Sequence, residues 1–202
     1  MIVLASASPR RRALLEQAGL EFSVHPTDVD ESLEPGVEPG AAAKLLAERK
    51  AHALFARDEH PAAWIIGSDT VVALGDEAEG WQLLGKPESS AQARSMLRSL
   101  SGTRHRVITG VAVLRASDGT LESAIETTWV SMRLITPQEI EAYVASEEWR
   151  DKAGGYAIQE NADAFVSALE GGGFDNVVGL PVGLCLALLR LQGAPGLPPS
   201  PA

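Results

Sequence analysis

The first twenty residues, MIVLASASPRRRALLEQAGL (residues 1–20), hold the pattern that decides the fold. A short apolar strand, residues 1–6, runs directly into a helix that we expect from Pro9 to about Ala18. Ser8 is suited to cap this helix, Pro9 to occupy its first position and Gly19 to end it. A strand that leads at once into a helix is typical of a domain that mixes helices with a sheet.

The first turn of this helix carries three consecutive arginines, Arg10, Arg11 and Arg12. Free backbone N–H groups and the positive end of the helix dipole make each cation there unfavourable by ~0.3–1 kcal/mol. A bound polyanion would reverse the sign of the effect, because N–H groups and guanidinium groups together bind phosphate. The alternative is that the arginines coat an exposed face of the helix.

Length and charge restrict the class of protein. The chain has 202 residues, 45% of them hydrophobic, which suits one domain that we place at residues 1–193, followed by a disordered Pro-rich tail at 194–202. A net charge of −10 argues against binding of long nucleic acid. No apolar run approaches the ~18 residues of a membrane span, and the N-terminus does not resemble a signal peptide. We therefore expect a cytoplasmic protein without a membrane partner.

The cysteine and histidine residues indicate neither a disulfide nor zinc chemistry. Cys185 is the only cysteine and sits in the apolar run GLCLALL, so we expect it in the core. The four histidines are scattered without paired spacing for metal ligands, at His25, His52, His60 and His105.

The rest of the chain alternates strand and helix patterns. Strands are predicted in EFSVHP (21–26), in a hairpin near 64–74 and 81–84, and in two long neighbours, 105–116 and 121–135. Helices are predicted at 41–57, at 90–100, from Thr136 onward and at 184–192. The first has Leu45, Leu46, Ala53 and Leu54 on its apolar face, and the second begins with a capping box of Ser89 and Gln92. FDNVVGLPVG (174–183) is predicted as a strand and turn. The fold class is α/β, with a mixed, partly antiparallel sheet flanked by helices.

Asp69 interrupts an apolar strand, WIIGSDTVVAL (64–74). Aspartate is poorly suited to a buried strand, so a metal, a lysine or a reacting water should compensate its charge, and a partly dry carboxylate is a good general base. The alternative is a bulge or turn at Gly67 and Ser68 that places Asp69 in solvent.

Two other segments offer groups for a charged ligand. Gly80 and Gly85-Lys86 match most of a phosphate-binding loop, but Pro87 replaces the metal-ligating hydroxyl, so we reject that motif and retain Lys86 as a phosphate contact. The acidic loop at 27–40 carries oxygen donors that, with Asp69, could surround a hard divalent cation: Asp28, Asp30, Glu31, Glu34 and Glu38. Solvated loops have the same composition.

A third segment, DKAGGYAIQ (151–159), combines charged residues, a glycine pair and a terminal amide, and is suited to a binding loop. Gln159 could recognise a base through its amide, although a single glutamine is more often a surface residue.

Taken in order, ASASPRR, DVDE, GSDTVV, LGKP, DKAGGYAIQ and NVVGLP resemble the Maf family of nucleoside triphosphate pyrophosphatases, over the chain up to about Gln192. The resemblance implies two lobes with a nucleotide cleft between them, similar to inosine triphosphate pyrophosphatase. It also implies hydrolysis of a nucleoside triphosphate to the monophosphate and diphosphate with Mg²⁺ or Mn²⁺. A homodimer is compatible with it. GGYAIQ is similar to the branch acting on dTTP and UTP, although Glu160 and Asp163 replace the usual glycines after the glutamine.

The resemblance assigns roles to particular residues. Asp69, Lys86 and Glu31 would be catalytic, with Asp69 activating water and with Asp69 and Glu31 holding the metal. Six residues would bind the substrate: Ser6, Arg10, Arg11, Lys50, Thr70 and Gln159. Arg12 would remain a surface residue. The alternatives are a 7-methyl-GTP pyrophosphatase of the same family, a nucleotide-binding regulator of cell division or septum formation without turnover, and a phosphotransferase, which would release no diphosphate.

Overall fold

A computed structural model describes residues 1–76, 78, 80–159 and 161–198. The strands are β1 (Ile2–Leu4), β2 (Ser23–Val24), β3 (Trp64–Asp76), β4 (Gly80–Leu84), β5 (Arg104–Arg115), β6 (Thr120–Met132) and β7 (Val166–Gly171). The α-helices are α1 (Pro9–Gln17), α2 (Pro39–Phe55), α3 (Ser90–Leu100), α4 (Pro137–Ala145), α5 (Phe174–Val178) and α6 (Val182–Leu191). Short 3-10 helices lie at Ala153–Gly155 and Asn161–Phe165.

The seven strands form one mixed sheet in the order β2-β1-β3-β5-β6-β7, with β4 paired to β3. β1 runs parallel to β2 and β3, whereas β3, β5, β6 and β7 pair antiparallel with their neighbours. The predicted mixed, partly antiparallel sheet flanked by helices is therefore confirmed.

One edge of β3 is shared by two strands that approach from opposite directions. β1 pairs with it as far as Leu4 opposite Ile66, and β4 pairs with it from Gly80 opposite Asp76 to its end at Leu84 opposite Val72. Within the described residues, no strand pairs with residues 67–71 along this edge. The carboxyl ends of β1 and β4 thus face each other across a gap that contains Asp69 and Thr70.

Successive residues of β3 and β5 point to opposite faces of the sheet, so each face has its own core. Ile65, Ala112 and Leu114 pack against α2 on one face. On the other face Ile66, Val111 and Val113 pack with the apolar residues of α1 and α6. A second cluster at the far end of that face joins Val72 and Val107 to α3 and α4. Val72 and Val107 of this second cluster also line the cavity described below.

Three predicted helix caps are present. Ser8 Oγ accepts from Arg11 N at 3.4 Å, and Ser89 Oγ accepts from Gln92 N at 3.2 Å. Thr136 and Glu139 form a complete capping box. The box predicted at Ser89 is only half formed, because the Gln92 side chain accepts from the backbone N–H of the preceding residue, Glu88, at 2.7 Å.

Two local predictions are wrong. Residues 174–178 form the helix α5 instead of a strand, because the buried Asn176 amide donates to Val107 O at 3.1 Å and to Thr128 Oγ1 at 2.8 Å and so anchors this segment over the sheet. The outermost strand in this region is β7, a strand that was not predicted. The second wrong prediction concerns α2: Leu45, which was predicted on the apolar face of this helix, is exposed, whereas Lys50 is buried on the face that packs on the sheet.

Cys185 is a core residue as predicted, and burial raises the pKa of its thiol to about 12. Ala194 and Leu197, in the segment predicted as a disordered tail, pack against the cluster beneath α6, and the tail residues 199–202 lie outside the described residues. In the described part of the chain, no helix is long and apolar enough to cross a membrane.

Candidate active site

A cavity of about 620 Å³ opens at the gap in the edge of β3. The turn after β1 and the start of α1 line one side of it, with Ser6 and Arg11, and the residues after β4 line the other, with Lys86. Asp69 and Thr70 point to opposite faces of the sheet, yet both line the cavity. The open edge allows this, because the cavity wraps around β3 where no neighbouring strand covers it.

Asp69 lies in the unbroken middle of β3, opposite Gly110 of β5, and is only 9% exposed. The alternative of a bulge or turn that exposes Asp69 is therefore wrong. The buried Lys50 Nζ on α2 donates to Asp69 Oδ1 and contacts Glu31 Oε1 at 2.8 Å. One ammonium group thus joins two carboxylates from β3 and from the acidic loop, as the compensation of a buried charge requires.

Two glycines allow α2 to approach the sheet closely enough for this contact. A Cβ atom on Gly67 would lie 2.1 Å from Ala47 O, and one on Gly110 would lie 2.2 Å from Ala43 O. Any larger residue at either position would push α2 away from β3. Since Lys50 is one turn from Ala47 and Asp69 is two residues from Gly67, the glycines set the distance between the two charged groups.

Glu31 is the more accessible of the two carboxylates, with 45% of its side chain exposed. Burial alone would raise its pKa, but the hydrogen bond and charge of Lys50, together with the charges of Lys86 and Arg11, lower the pKa overall. Glu31 therefore lies within the field of three cations from three different segments. Of the other acidic residues of its loop, none lines the cavity; these are Asp28, Asp30, Glu34 and Glu38.

Arg11 connects three parts of the cavity wall. Its Nε donates to Gly179 O at 2.8 Å, Nη1 donates to Ser6 Oγ at 3.2 Å and Nη2 donates to Thr70 Oγ1 at 3.2 Å. Burial lowers the pKa of Arg11, and the charge of Asp69 opposes this effect. Gly179 has φ +126°, and its Cα faces Thr70 and Arg11, so the backbone here needs glycine.

The neighbouring arginines differ from Arg11. Arg10 lines the cavity and makes one long contact, from Nε to Val178 O at 3.4 Å. Arg12 is exposed and pairs with Glu16 at 2.7 Å, as expected of a surface residue. Of the three arginines, Arg11 is held by hydrogen bonds in the cavity wall, Arg10 lines the cavity with a single long contact, and Arg12 lies outside the cavity.

The structure does not place Gln159 in the cavity wall. Ile158 lines the cavity, but the Gln159 side chain is exposed beyond it, and Glu160 lies outside the described residues. Three further residues line the cavity without having been predicted as site residues: Arg150, Lys152 and Tyr156. Arg150 directly precedes the segment identified as a binding loop, and the other two lie within it, so adjacency to that loop was the available signal.

Tyr156 is held from behind by a buried histidine. His105 Nε2 and Tyr156 Oη are 2.7 Å apart, and burial lowers the pKa of His105 to about 4. Burial raises the pKa of Tyr156. Both groups are therefore neutral near pH 7, and the pair fixes one wall of the cavity without adding charge.

The sequence model that describes Maf-like proteins matches residues 1–192. The chain belongs to the Maf family. Among its relatives in the Maf family is a protein of Desulforamulus reducens, 44% identical over 193 residues, which cover 95% of this chain and 96% of the relative. A protein of Myxococcus xanthus is 44% identical and covers 96% of this chain and 94% of itself. A third, from Salinibacter ruber, is 44% identical with coverages of 96% and 91%. All three are named dTTP/UTP pyrophosphatase.

Proposed function

We propose that this Maf-family protein hydrolyses dTTP and UTP to the nucleoside monophosphate and diphosphate by attack of water at the α-phosphorus. The full-length relatives named dTTP/UTP pyrophosphatase support the reaction and the nucleotide class. The geometry contributes one further observation, which concerns the distribution of charge around Asp69.

The cavity is locally cationic in an acidic protein. Among the described residues that line it, six side chains are cationic and three are anionic, whereas the whole chain carries a net charge of −10. The cations are Arg10, Arg11, Lys50, Lys86, Arg150 and Lys152. A site built this way attracts a polyanion of the size of a triphosphate. A buried carboxylate within it would oppose phosphate binding, so Asp69 suits a reaction better than binding alone.

Each residue has a task that follows from its position. Arg10 has few protein contacts and is available to bind the phosphates, while Arg11 orients Thr70 and Ser6 beside them. Lys86, at the end of the hairpin, would neutralise charge on the leaving diphosphate. Asp69 would take the proton of the attacking water on its carboxylate, and Lys50 holds that carboxylate in place through their ion pair.

The donor set of the cavity suits a divalent cation. Lys50 Nζ contacts Asp69 Oδ1 and Glu31 Oε1, which places the two carboxylates next to each other, and their other oxygens, Asp69 Oδ2 and Glu31 Oε2, are the ones that would hold the ion. Hard oxygen ligands of this kind fit Mg²⁺ or Mn²⁺, and Asp69 and Glu31 are the residues that would hold it. When bound, such an ion would offset phosphate charge and favour ionisation of a nearby water.

A panel of nucleoside triphosphates with Mg²⁺ or Mn²⁺, scored for diphosphate release, tests this function. We expect release from dTTP and UTP and little from purine nucleotides. Preference for 7-methyl-GTP would assign the chain to another branch of the family. Binding of dTTP without diphosphate release, by a protein with a wild-type fold, would support the regulator instead, and phosphate transfer to an acceptor without diphosphate would identify a phosphotransferase.

A further inference from the structure

Two histidines that lie far apart in the sequence meet beside the β2 edge of the sheet. His25 directly follows β2, and its backbone N–H donates to Leu4 O at 3.0 Å. His60 lies in the turn between α2 and β3, where its carbonyl accepts from Ala63 N at 3.0 Å. The two rings form a T-shaped pair with centroids 4.2 Å apart. The sequence-based view that the histidines are scattered is therefore wrong for this pair.

The nitrogens of this pair have the separation of two ligands on one metal. His60 Nε2 and His25 Nδ1 are 3.2 Å apart. Two nitrogens bound tetrahedrally to Zn²⁺ at ~2.0–2.1 Å each lie about 3.3 Å from each other. The Glu59 carboxylate supplies a third ligand, and the ligand atoms of all three residues lie within 4.8 Å of one another.

We propose that His25, Glu59 and His60 form a binding site for a transition-metal ion, with Zn²⁺ as the preferred occupant. Imidazole nitrogens select Zn²⁺ and similar ions, whereas the oxygen donors Asp69 and Glu31 suit Mg²⁺ or Mn²⁺. None of the three residues lines the cavity, so this site is separate from the candidate active site. Three protein ligands leave a fourth tetrahedral position for water.

The position of the site indicates what the metal would do. His25 begins the segment that leads to Glu31, and His60 belongs to the connection that leads into β3. A metal held by both would cross-link the start of the acidic loop to the start of the central strand. Because this geometry belongs to the folded chain, binding should stabilise the fold in proportion to occupancy.

The alternative is a hydrogen bond between the two imidazoles, one donating and the other accepting. The same 3.2 Å separation serves both arrangements, but only a metal site also needs Glu59. The alternative therefore predicts that Glu59→Gln changes nothing and that Zn²⁺ leaves the melting temperature unchanged.

The test uses the full chain stripped of metal with EDTA and then titrated with Zn²⁺ by calorimetry. Co²⁺ serves as a spectroscopic probe, since tetrahedral nitrogen and oxygen coordination gives visible absorption. We expect one ion per chain at this site and a rise in Tm of about 5–10 °C at a hundredfold excess over Kd. His60→Asn and Glu59→Gln should each weaken binding at least ~10-fold, since even outer partners of a ligand contribute that much.

Matched controls separate this site from the cavity. His52→Asn removes an exposed histidine of α2 and should leave Zn²⁺ binding unchanged, as should Asp69→Asn, which alters the carboxylates of the cavity. Glu59 is exposed, so Glu59→Gln keeps the fold and remains informative even if His60→Asn is unstable. Wild-type protein without a Zn²⁺-dependent Tm shift, or equal Zn²⁺ affinity in wild type and Glu59→Gln, would overturn the proposal.

Discussion

Replacing Asp69 by asparagine changes a charge in the cavity while keeping its shape. Lys50 Nζ still has Glu31 Oε1 at 2.8 Å and can donate to the new amide oxygen, so an ion pair becomes a hydrogen bond from a cation to a neutral acceptor. The difference between the two kinds of bond is about 1 kcal/mol. In a chain of this length that lowers Tm by about 2–4 °C. Loss of the proton acceptor should lower diphosphate release from dTTP by at least ~10²-fold.

Lys50→Met is the matched perturbation of the same contact. It leaves the carboxylates of Asp69 and Glu31 near each other with no ammonium between them. Breaking a buried pair costs about 3–5 kcal/mol, and the partial exposure of Glu31 places the cost near the lower value, so Tm should fall by about 6–12 °C. The order of the two variants in stability, with Asp69→Asn above Lys50→Met, follows from the position of the lysine between both acids.

The assay measures diphosphate release with Mg²⁺ at saturating dTTP, and thermal unfolding of the same samples by circular dichroism. Near-wild-type turnover in a folded Asp69→Asn protein would refute the role of Asp69 as base. A Tm loss as large as that of Lys50→Met would show instead that Asp69 mainly supports the fold.

Three further predictions concern other parts of the site. Arg11→Ala should lower Tm by several degrees, because it removes three hydrogen bonds worth ~0.5–1.5 kcal/mol each, whereas Arg10→Ala should leave Tm nearly unchanged. Both variants should raise KM for dTTP. Equal melting temperatures of the two variants would contradict the view that Arg11 is held by the fold and Arg10 is not. Gln159→Glu tests the base-binding role that the resemblance gives to this residue, which is exposed outside the cavity wall. If the Gln159 amide donates to the pyrimidine O4 in the complex, kcat/KM for dTTP and UTP should fall at least ~10-fold and that for a weak purine substrate should fall less, whereas equal losses or no loss on all nucleotides would remove Gln159 from base recognition. The pKa of Glu31 is lowered in the folded protein, so its contribution to stability is present above the ordinary pKa of 4.5 and is lost as the pH falls through the lowered pKa. The free energy of unfolding of Glu31→Gln, measured with urea, should therefore depend less on pH below 4.5 than that of the wild type.

Local features of the chain were predictable because they depend on neighbours in the sequence. Ser8 and Thr136 cap the helices that follow them, and the hairpin of β3 and β4 forms around its turn. Each of these depends on groups a few residues apart, so a short window contains the whole physical cause. The family resemblance was likewise carried by short ordered motifs, and the match over residues 1–192 confirms it.

Local patterns failed where a partner from elsewhere decided the outcome. FDNVVG has the composition of a strand, but Asn176 finds its hydrogen-bond partners on β5 and β6 and the segment becomes a helix. Lys50 is buried on α2 because Asp69 and Glu31 compensate its charge, whereas Leu45 is exposed. Burial of a charge is decided by its ion-pair partner, which helical periodicity does not contain.

The sequence alone identified Asp69 and the arginine-rich turn as chemically unusual, because each places charge where local rules disfavour it, and it identified Lys86 through an incomplete match to a phosphate-binding loop. Only the tertiary structure brought them together, by ending both β1, at Leu4, and β4, at Leu84, on the same edge of β3. The same is true of His25 and His60, which meet through the packing of β2 beside the turn that precedes β3. Strand pairing joins residues far apart in the chain, so the gap that forms the cavity has no counterpart in any local pattern.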